Sequence, residues 1–506
     1  MAEDKRTAKD IYDKAIESRT QYVDRAEEIS SLTIPYLMPP KGYSSSSTLD
    51  DSLRQSDMAT NINSLTSKIT MTLFPTAASS FRLDPDAEGM EQIVATEGGE
   101  GVRDTIYMAL SNETARINKE IEAQDIRPQV FSFVRDLMAT GPIIIEKVKK
   151  KGIKYHNIAS IGVMLDDRFE PYEMAILEEL TMLPEGITVK DEKESYELYT
   201  AIVKDEETKK WIVTQSIGTE VVGDEQTYTD ETLPFQYLGW SIAKGDTYHR
   251  PYTEQMLGDI RSLNALTQVL TDGSVIASKV NIFVNPRGGR TRMRDLAESV
   301  NGAILEGSAE DVTAFQLQKN FDFQVPMQRL AEIKQSLDKA YLVNQSAARD
   351  SERTTATEVS FMAQELETQL AGIYSIMASK VSKRIVTWVM QDLGIKFDGI
   401  DVNIITGLDS LSKQGEAQKF DAYLQTLMSL GYNMAVKEAE VVRRYAEFYG
   451  INTTGLIKTE QELAQEQQAA MNAQQEQMGA ESMSQAAGES AGKAMIEGPP
   501  QQPQGE

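Results

Sequence analysis

The chain has 506 residues, with 77 Asp and Glu against 51 Lys and Arg, for a net charge of -26. That balance argues against a protein that grips nucleic acid by net positive charge, because phosphate binding needs stripes of Lys and Arg. With no Cys and only His156 and His249, disulfides, cysteine-ligated metals and histidine-rich clusters are excluded, and the chain fits a reducing compartment.

The length allows roughly two to four domains. Met1 to Arg25 is charged, without the apolar core of a signal peptide, and no window approaches the ~18 apolar residues of a membrane span. A soluble chain without a classical export signal is expected. Ile11, Ala15, Ile16, Tyr22, Ala26 and Ile29 predict one amphipathic helix ending before Ile34-Pro35. After a Pro/Gly/Ser loop from Pro39 to Thr48, a second helix from Asp51 carries Met58, Ile62, Leu65, Ile69 and Leu73, stopped at Phe74-Pro75. Ser80 to Asp84 reads as extended, Val102 to Ala123 as helical, and a further helix starts near Pro128. From Gly141 the period changes. Pro142–Lys149, Val163–Asp166, Tyr172–Glu179, Tyr196–Val203, Lys210–Ile217 and Phe235–Ile242 read as short strands, with Lys204–Lys209 as a hairpin loop. The first 250 residues therefore read as α+β, helices first and an antiparallel sheet after.

Pro251 opens a helix running to about Lys279. Val280–Val284 is strand-like, Asn285-Pro286-Arg287-Gly288-Gly289 is a turn, and Ala303–Glu306 and Val312–Leu317 are further strands. Pro326 starts another helix carrying Leu330, Ile333, Leu337 and Tyr341. The polar segment Asn344–Arg353 then feeds the longest helical pattern in the chain, Thr355–Leu393. Its apolar stripe runs through Val359, Met362, Leu366, Leu370, Ile373, Met377, Val381, Ile385 and Trp388. Thr355 with Glu358 suits a capping box, Gly394 suits the end, and the helix would be roughly 58 Å long. Beyond it come a strand at Val402–Thr406, helical segments at Gly415–Leu430 and Ala435–Tyr449, and a Gln-rich tail whose composition from about Gly479 is that of a disordered chain.

No P-loop, G-x-G-x-x-G, G-x-S-x-G or H-E-x-x-H occurs, so no catalytic, cofactor or metal residue is assigned. Asp166-Asp167 and Glu178-Glu179 are paired carboxylates, but neighbours on a strand point to opposite faces and do not automatically converge. His249 is expected to be packed or hydrogen-bonded in a turn. The basic island Lys279, Arg287, Arg290, Arg292 and Arg294 stands out in so acidic a chain. It is either a solvated loop or a docking surface for acidic groups, where Arg offers a bidentate fork. Arg349 and Arg353, interleaved with Asp350 and Glu352, form a mixed-charge loop. Amphipathic struts around so small a β module would leave faces uncovered, which points to burial between subunits.

Several separate stretches, in this order, resemble the portal (head-to-tail connector) proteins of short-tailed, podovirus-type phages: LTSKITMTLFP at Leu65–Pro75, LGDIRSLNAL at Leu257–Leu266, ASKVNIFVNP at Ala277–Pro286, EDVTAFQLQK at Glu310–Lys319, RTTATEVSFMAQELETQLAGIYSI at Arg353–Ile376 and GINTTG at Gly450–Gly455. The resemblance implies an α+β, mostly helical portal fold assembled as a dodecameric ring with a central channel. That ring stands at the capsid vertex of the virion, is assembled in the host cytoplasm, and passes double-stranded DNA during packaging and ejection. It implies a wing over 1–250 and again over 355–407, stem helices over 251–279 and 326–343, and a clip over 280–325. A tunnel loop over 344–354, a crown over 408–460 and a tail over 461–506 complete the map. Implied partners are terminase, tail adaptor and nozzle proteins, major capsid and scaffolding proteins, and internal core proteins, with no membrane. Asn344, Gln345, Arg349 and Arg353 become the DNA-facing candidates, and Lys279, Arg287, Arg290, Arg292 and Arg294 the clip docking surface. An oligomeric virion scaffold or adaptor without a conduit is the alternative.

Overall fold

The computed structural model describes residues 6–39, 53–75, 79–86, 100–182, 195–218, 220–278, 280–285, 312–316, 323–343, 377–395 and 399–404, together with positions 294, 298, 362, 365, 366, 368–370, 374, 420–427, 429, 441 and 445. The chain divides into two compact units. One takes in Met1–Arg82, Thr114–Phe397 and Val402–Leu408; the other takes in Leu83–Glu113, Asp398–Asp401 and Asp409–Glu506.

In the first unit the expected single N-terminal helix is two, α1 (Ala8–Ile16) and α2 (Thr20–Leu32). Thr7 and Asp10 close a reciprocal capping box on α1. The break at Glu17–Arg19 frees the Arg19 guanidinium to donate to the Ile161 carbonyl at 2.6 Å. Helix α3 (Asp57–Leu73) buries Ile62, Leu65, Ile69 and Leu73 against α5 (Ile126–Ala139), which buries Val130, Phe133, Val134 and Leu137. Strand β1 (Phe81–Pro85) and helix α4 (Glu100–Ala123) lie between them in sequence.

Strands β2 (Ile143–Val148), β3 (Gly152–His156), β4 (Ile161–Leu165), β5 (Pro171–Leu180), β6 (Tyr196–Lys204), β7 (Trp211–Ile217), β8 (Glu220–Tyr228) and β9 (Phe235–Leu238) form two antiparallel sheets, ordered β3-β2-β9 and β4-β5-β6-β7-β8. Side-chain alternation decides what each face of the larger sheet meets. Ala175, Tyr199 and Ala201 pack under Ala8, Ile11 and Tyr12 of α1. Met174, Ile176, Ile202 and Val213 turn the other way, into a core with Tyr22, Ala26, Ile144, Phe235, Tyr237 and Tyr248. Gly162 permits the close seat of α1, since a Cβ there would lie 2.8 Å from the Ala15 methyl.

Chain order after the sheets runs through α6 (Leu257–Ser278), β10 (Val280–Val284), β11 (Val312–Gln316) and α7 (Gln324–Ala340). The long helical pattern is helical at Met362, Glu365, Leu366, Thr368 to Leu370, Tyr374 and Met377, but it is not one uninterrupted α-helix: a π-helical turn at Ala378–Ser382 precedes α8 (Lys383–Leu393). The reason is in the spacing. Met377, Val381 and Ile385 recur every fourth residue and are all buried, whereas an α-turn holds 3.6 residues. A wider turn keeps the three on one face. Gly394, at φ 71°, ends α8 as expected, and the expected capping box at Thr355 lies outside the described residues. Trp388 donates from Nε1 to the Leu233 carbonyl at 3.0 Å, and Lys147 reaches the Trp388 carbonyl at 2.8 Å and Asp392 at 2.9 Å. These bonds fasten α8 to the smaller sheet and its approach. Strand β12 (Ile400–Ile404) starts two residues earlier than the pattern predicts. In the second unit the Asp86 N–H donates to the Gly399 carbonyl at 3.0 Å, and Phe420 meets Tyr445 edge-on.

Asp136, on α5, is buried beside the Tyr155 hydroxyl, and one of its oxygens has no partner. Burial pushes its carboxyl up to about 6, against the hydrogen bond from Tyr155. A group raised by folding leaves stability intact below its ordinary value of 3.8 and removes it as the pH climbs toward 6. Asp136→Asn should therefore match the parent near pH 4 and exceed it by up to about 3 kcal/mol at pH 7. Urea unfolding at the two pH values checks this, and equal curves at both would refute it.

Candidate functional site

The segment that carries the predicted docking residues is built on α6 and α7. A buried anchor holds their roots. Leu257, Ile260 and Leu263 of α6 and Ile333, Leu337, Tyr341 and Leu342 at the end of α7 are buried. Tyr252 donates from its hydroxyl to the Ala340 carbonyl at 2.7 Å, and the Tyr341 hydroxyl lies 3.0 Å from Thr253 Oγ1. The Trp240 and Tyr252 rings meet tilted at 5.2 Å, and Tyr252 and Tyr341 edge-on at 5.6 Å. Arg250 grips Asp246 with two bonds of 2.7 Å and Glu254 with a third, which holds the Asp246 carboxyl down at about 2 and raises the guanidinium. Arg25 reaches the same Glu254 oxygen at 2.5 Å, so α2 is tied in as well.

Away from the roots the two helices run antiparallel and lose their cover. Gly273 of α6 faces the Phe323 ring so closely that a Cβ would come within 2.5 Å of it. Val269, Val275, Ile276, Val325 and Met327 are each at least half exposed. Strands β10 and β11 continue from those tips in antiparallel register, Val280 opposite Gln316 and Val284 opposite Val312, with Phe283 exposed.

A second cluster was not foreseen. Glu146, His156 and Glu178 bring three ligand-type atoms within 4.8 Å of one another. Glu146 pairs across the ladder with Lys154 and Ile144 with His156, so Glu146 and His156 are diagonal neighbours on one face. His156 Nε2 lies 2.9 Å from Glu146 and Lys154 pairs with Glu178, so the cluster's ionic partners lie within it. The alternation of charge in Glu146, Lys154 and His156 was visible in sequence, but their register was not. His249 is packed and bonded as expected: Nδ1 lies 2.9 Å from the Tyr237 hydroxyl, and burial, then nearby Lys380, lowers its value to about 4.

The model of the family described as "Bacteriophage head to tail connecting protein" matches residues 5–168 and 178–457. The chain belongs to that family. This connector is 28% identical to the portal protein of Escherichia phage T7, covering 92% of this chain and 90% of the relative, and 28% identical to that of Enterobacteria phage T3, covering 99% and 97%. The portal protein of Enterobacteria phage SP6 is 27% identical, with 92% and 93% covered. A chain in the solved "Virion of native gene transfer agent (GTA) particle" aligns at 12% identity with a TM-score of 0.33, over 72% of the connector and 99% of that chain. The resemblance read from the six stretches, a portal-type connector of the phage virion, is borne out.

Of the connector's predicted site residues, Arg294 is described: it is highly exposed and pairs with Glu298 at 2.9 Å, one helical turn on. Lys279, Arg287, Arg290, Arg292, Asn344, Gln345, Arg349 and Arg353 lie outside the described residues. Sequence reasoning missed the buried pair of Lys68 with Glu365, at 3.4 Å. Lys68 falls on the apolar face of α3, flanked by Leu65 and Ile69, and a lysine there was the available signal.

Gly273→Leu drives a side chain into the Phe323 ring. It should cost about 1–3 kcal/mol of the connector's stability by overpacking, read as a lower urea midpoint. An unchanged midpoint would show that the helix tips separate freely.

Proposed function

We propose that the connector is the portal subunit. Copies close into a ring at one capsid vertex, double-stranded DNA passes through its channel during packaging and ejection, and the ring docks the terminase motor and then tail adaptor and nozzle proteins. The observation that carries this reading is the length of the family match, 5–168 and 178–457, together with named portal relatives covering 92% and 99% of the chain. On this reading residues 1–250 and 355–407 are the wing, 251–279 and 326–343 the stem, 280–325 the clip, 344–354 the tunnel loop, 408–460 the crown and 461–506 the tail. The order α6, β10, β11, α7 supports the stem-and-clip part, since a strand pair sits at the tips of two antiparallel helices rooted in a larger body. The exposed Val269, Val275, Ile276, Val325 and Met327 give neighbouring copies, in a dodecameric ring, an apolar surface to cover.

The function needs passage without capture. Cations lining the channel would hold phosphates through counterion release. Arg261 is paired with Glu28, Arg329 with Glu332 and Lys334 with Asp57, which leaves a mixed-charge surface. The Arg island of the clip then docks proteins, and Asn344, Gln345, Arg349 and Arg353 touch DNA only transiently. Capsid and scaffolding proteins meet the ring from outside, and internal core proteins meet the crown.

Electron microscopy of the purified connector tests the reading: a ring with an axial channel wide enough for duplex DNA is expected, and particles without one would favour a scaffold or adaptor. Arg290→Glu with Arg292→Glu should weaken tail-adaptor binding by roughly tenfold or more and leave DNA retention intact, with pull-down and nuclease-protection assays as readouts. Deleting residues 345–350 should spare ring assembly and lower the yield of full-length packaged DNA; normal packaging would remove the loop from the mechanism.

A further inference from the structure

We infer that Lys68 is a positioning residue for the segment 343–364: one buried ammonium holds the chain on both sides of it. On the near side, Lys68 Nζ donates to the Leu342 carbonyl at 2.5 Å; on the far side it lies 3.4 Å from Glu365 Oε2. The side chains of Lys68 and Glu365 are 9% and 8% exposed. A free chain as long as the intervening segment has a mean end-to-end distance of about 25 Å, yet both flanks here meet at a single nitrogen.

The near flank is itself held in a conformation that a leucine does not choose. Helix α7 ends in a Schellman arrangement: the Val343 N–H donates to the Asp338 carbonyl at 2.9 Å and the Leu342 N–H to the Lys339 carbonyl at 3.2 Å. The residue at the left-handed position of that motif is usually Gly, whereas here it is Leu342 at φ 59° with its side chain fully buried. Such strain persists where the surroundings over-determine it. Burial of the Leu342 side chain, the Lys68 bond to its carbonyl and the Asn61 bond to Asp338 at 3.0 Å are the surroundings that do so. Both of the latter bonds come from α3, one turn-stacked face of a helix that also packs on α5. Helix α3 is therefore the fixed rail, and Lys68 is the point on it where the segment begins and ends.

The buried ion pair need not stabilise the fold. Glu365 Oε1 has no partner, and matched apolar replacements of buried ion pairs are often neutral or stabilising. That separates positioning from stability. The consequence for DNA rests on the proposed conduit: both flanks of segment 343–364 leave from one fixed point in each subunit.

The test uses the full-length chain with Lys68→Met and Glu365→Leu combined, beside Lys68→Arg, which keeps a charge at the site. For the double variant we expect a melting temperature near that of the parent, the removed ion pair offsetting the orphaned Leu342 carbonyl, and rings at parental yield. Amide exchange at residues 339–343 and 365–370 should be roughly tenfold faster, the loss of a bond to a charged group, with α3 itself unchanged. Packaged-DNA retention should fall, and Lys68→Arg should recover part of both effects. Parental exchange at either flank would overturn the inference, as would faster exchange with parental retention. If the wild-type protein forms no axial channel, the conduit reading fails, while the exchange result still decides whether Lys68 holds the segment.

Discussion

The architecture depends on how the ends of α6 and α7 are held, because most of their outer surface is not. Two helices whose tips expose Val269, Ile276, Val325 and Met327 gain little from mutual packing there, so their direction is set at the roots. The constraint is a polar network inside an apolar wall. Tyr252 and Tyr341 each bury a ring and satisfy their hydroxyls, on Ala340 and Thr253, so that burial does not leave polar atoms unpaired. Arg250 then fixes the approach to α6 through Asp246 and Glu254. Burial pushes the Tyr341 hydroxyl well above its ordinary value, so that hydroxyl stays protonated and keeps its bond to Thr253.

The same economy appears in the sheets. One five-stranded sheet serves two cores because alternate residues of β5, β6 and β7 face opposite ways: alanines and tyrosines toward α1, branched apolar side chains toward α2 and the smaller sheet. Small residues at Gly162, Ala175 and Ala201 let α1 lie close, while Ile176, Ile202 and Val213 fill the deeper side. Edge strand β8 is nearly all exposed and carries Glu220, Asp224 and Glu225, charges that discourage a further strand from adding to it.

What could be read from the sequence was whatever rests on local periodicity. Strand β10 was predicted to the residue, α5 and α7 start within two residues of the expected place, and α3 and α6 each start six residues later than expected, at Asp57 and Leu257; each has an apolar stripe bounded by Pro, Gly or a polar turn. Strand β8 was missed because an edge strand with one polar face and a central Gly223 has no alternation to detect. Strand β3 was missed because it is short, follows a turn with Lys150 at positive φ and opens on Gly152, also at positive φ. The break between α1 and α2 and the π-turn before α8 were missed for other reasons. The first depends on a long-range partner, Ile161 for Arg19; the second follows from the four-residue repeat Met377, Val381 and Ile385, which was in view but was read as a continuous α-helical stripe. Of the site, the basic island and polar loop were legible as composition; the tie from Lys68 to Leu342 and Glu365 was not, since it joins positions hundreds of residues apart.

That tie also bears on the charge of the molecule. A subunit with a net charge of -26 repels a polyanion at long range, and the proposed ring of such subunits would multiply the field. Cations near the proposed conduit therefore act only over contact distance, within a Debye length of about 8 Å in physiological salt, and Arg261, Arg329 and Lys334 on α6 and α7 already have carboxylate partners. Lys68 goes further: it is buried, and a carbonyl and a carboxylate already occupy its ammonium. A lysine at that place is thus spent on holding backbone on both flanks of the segment 343–364.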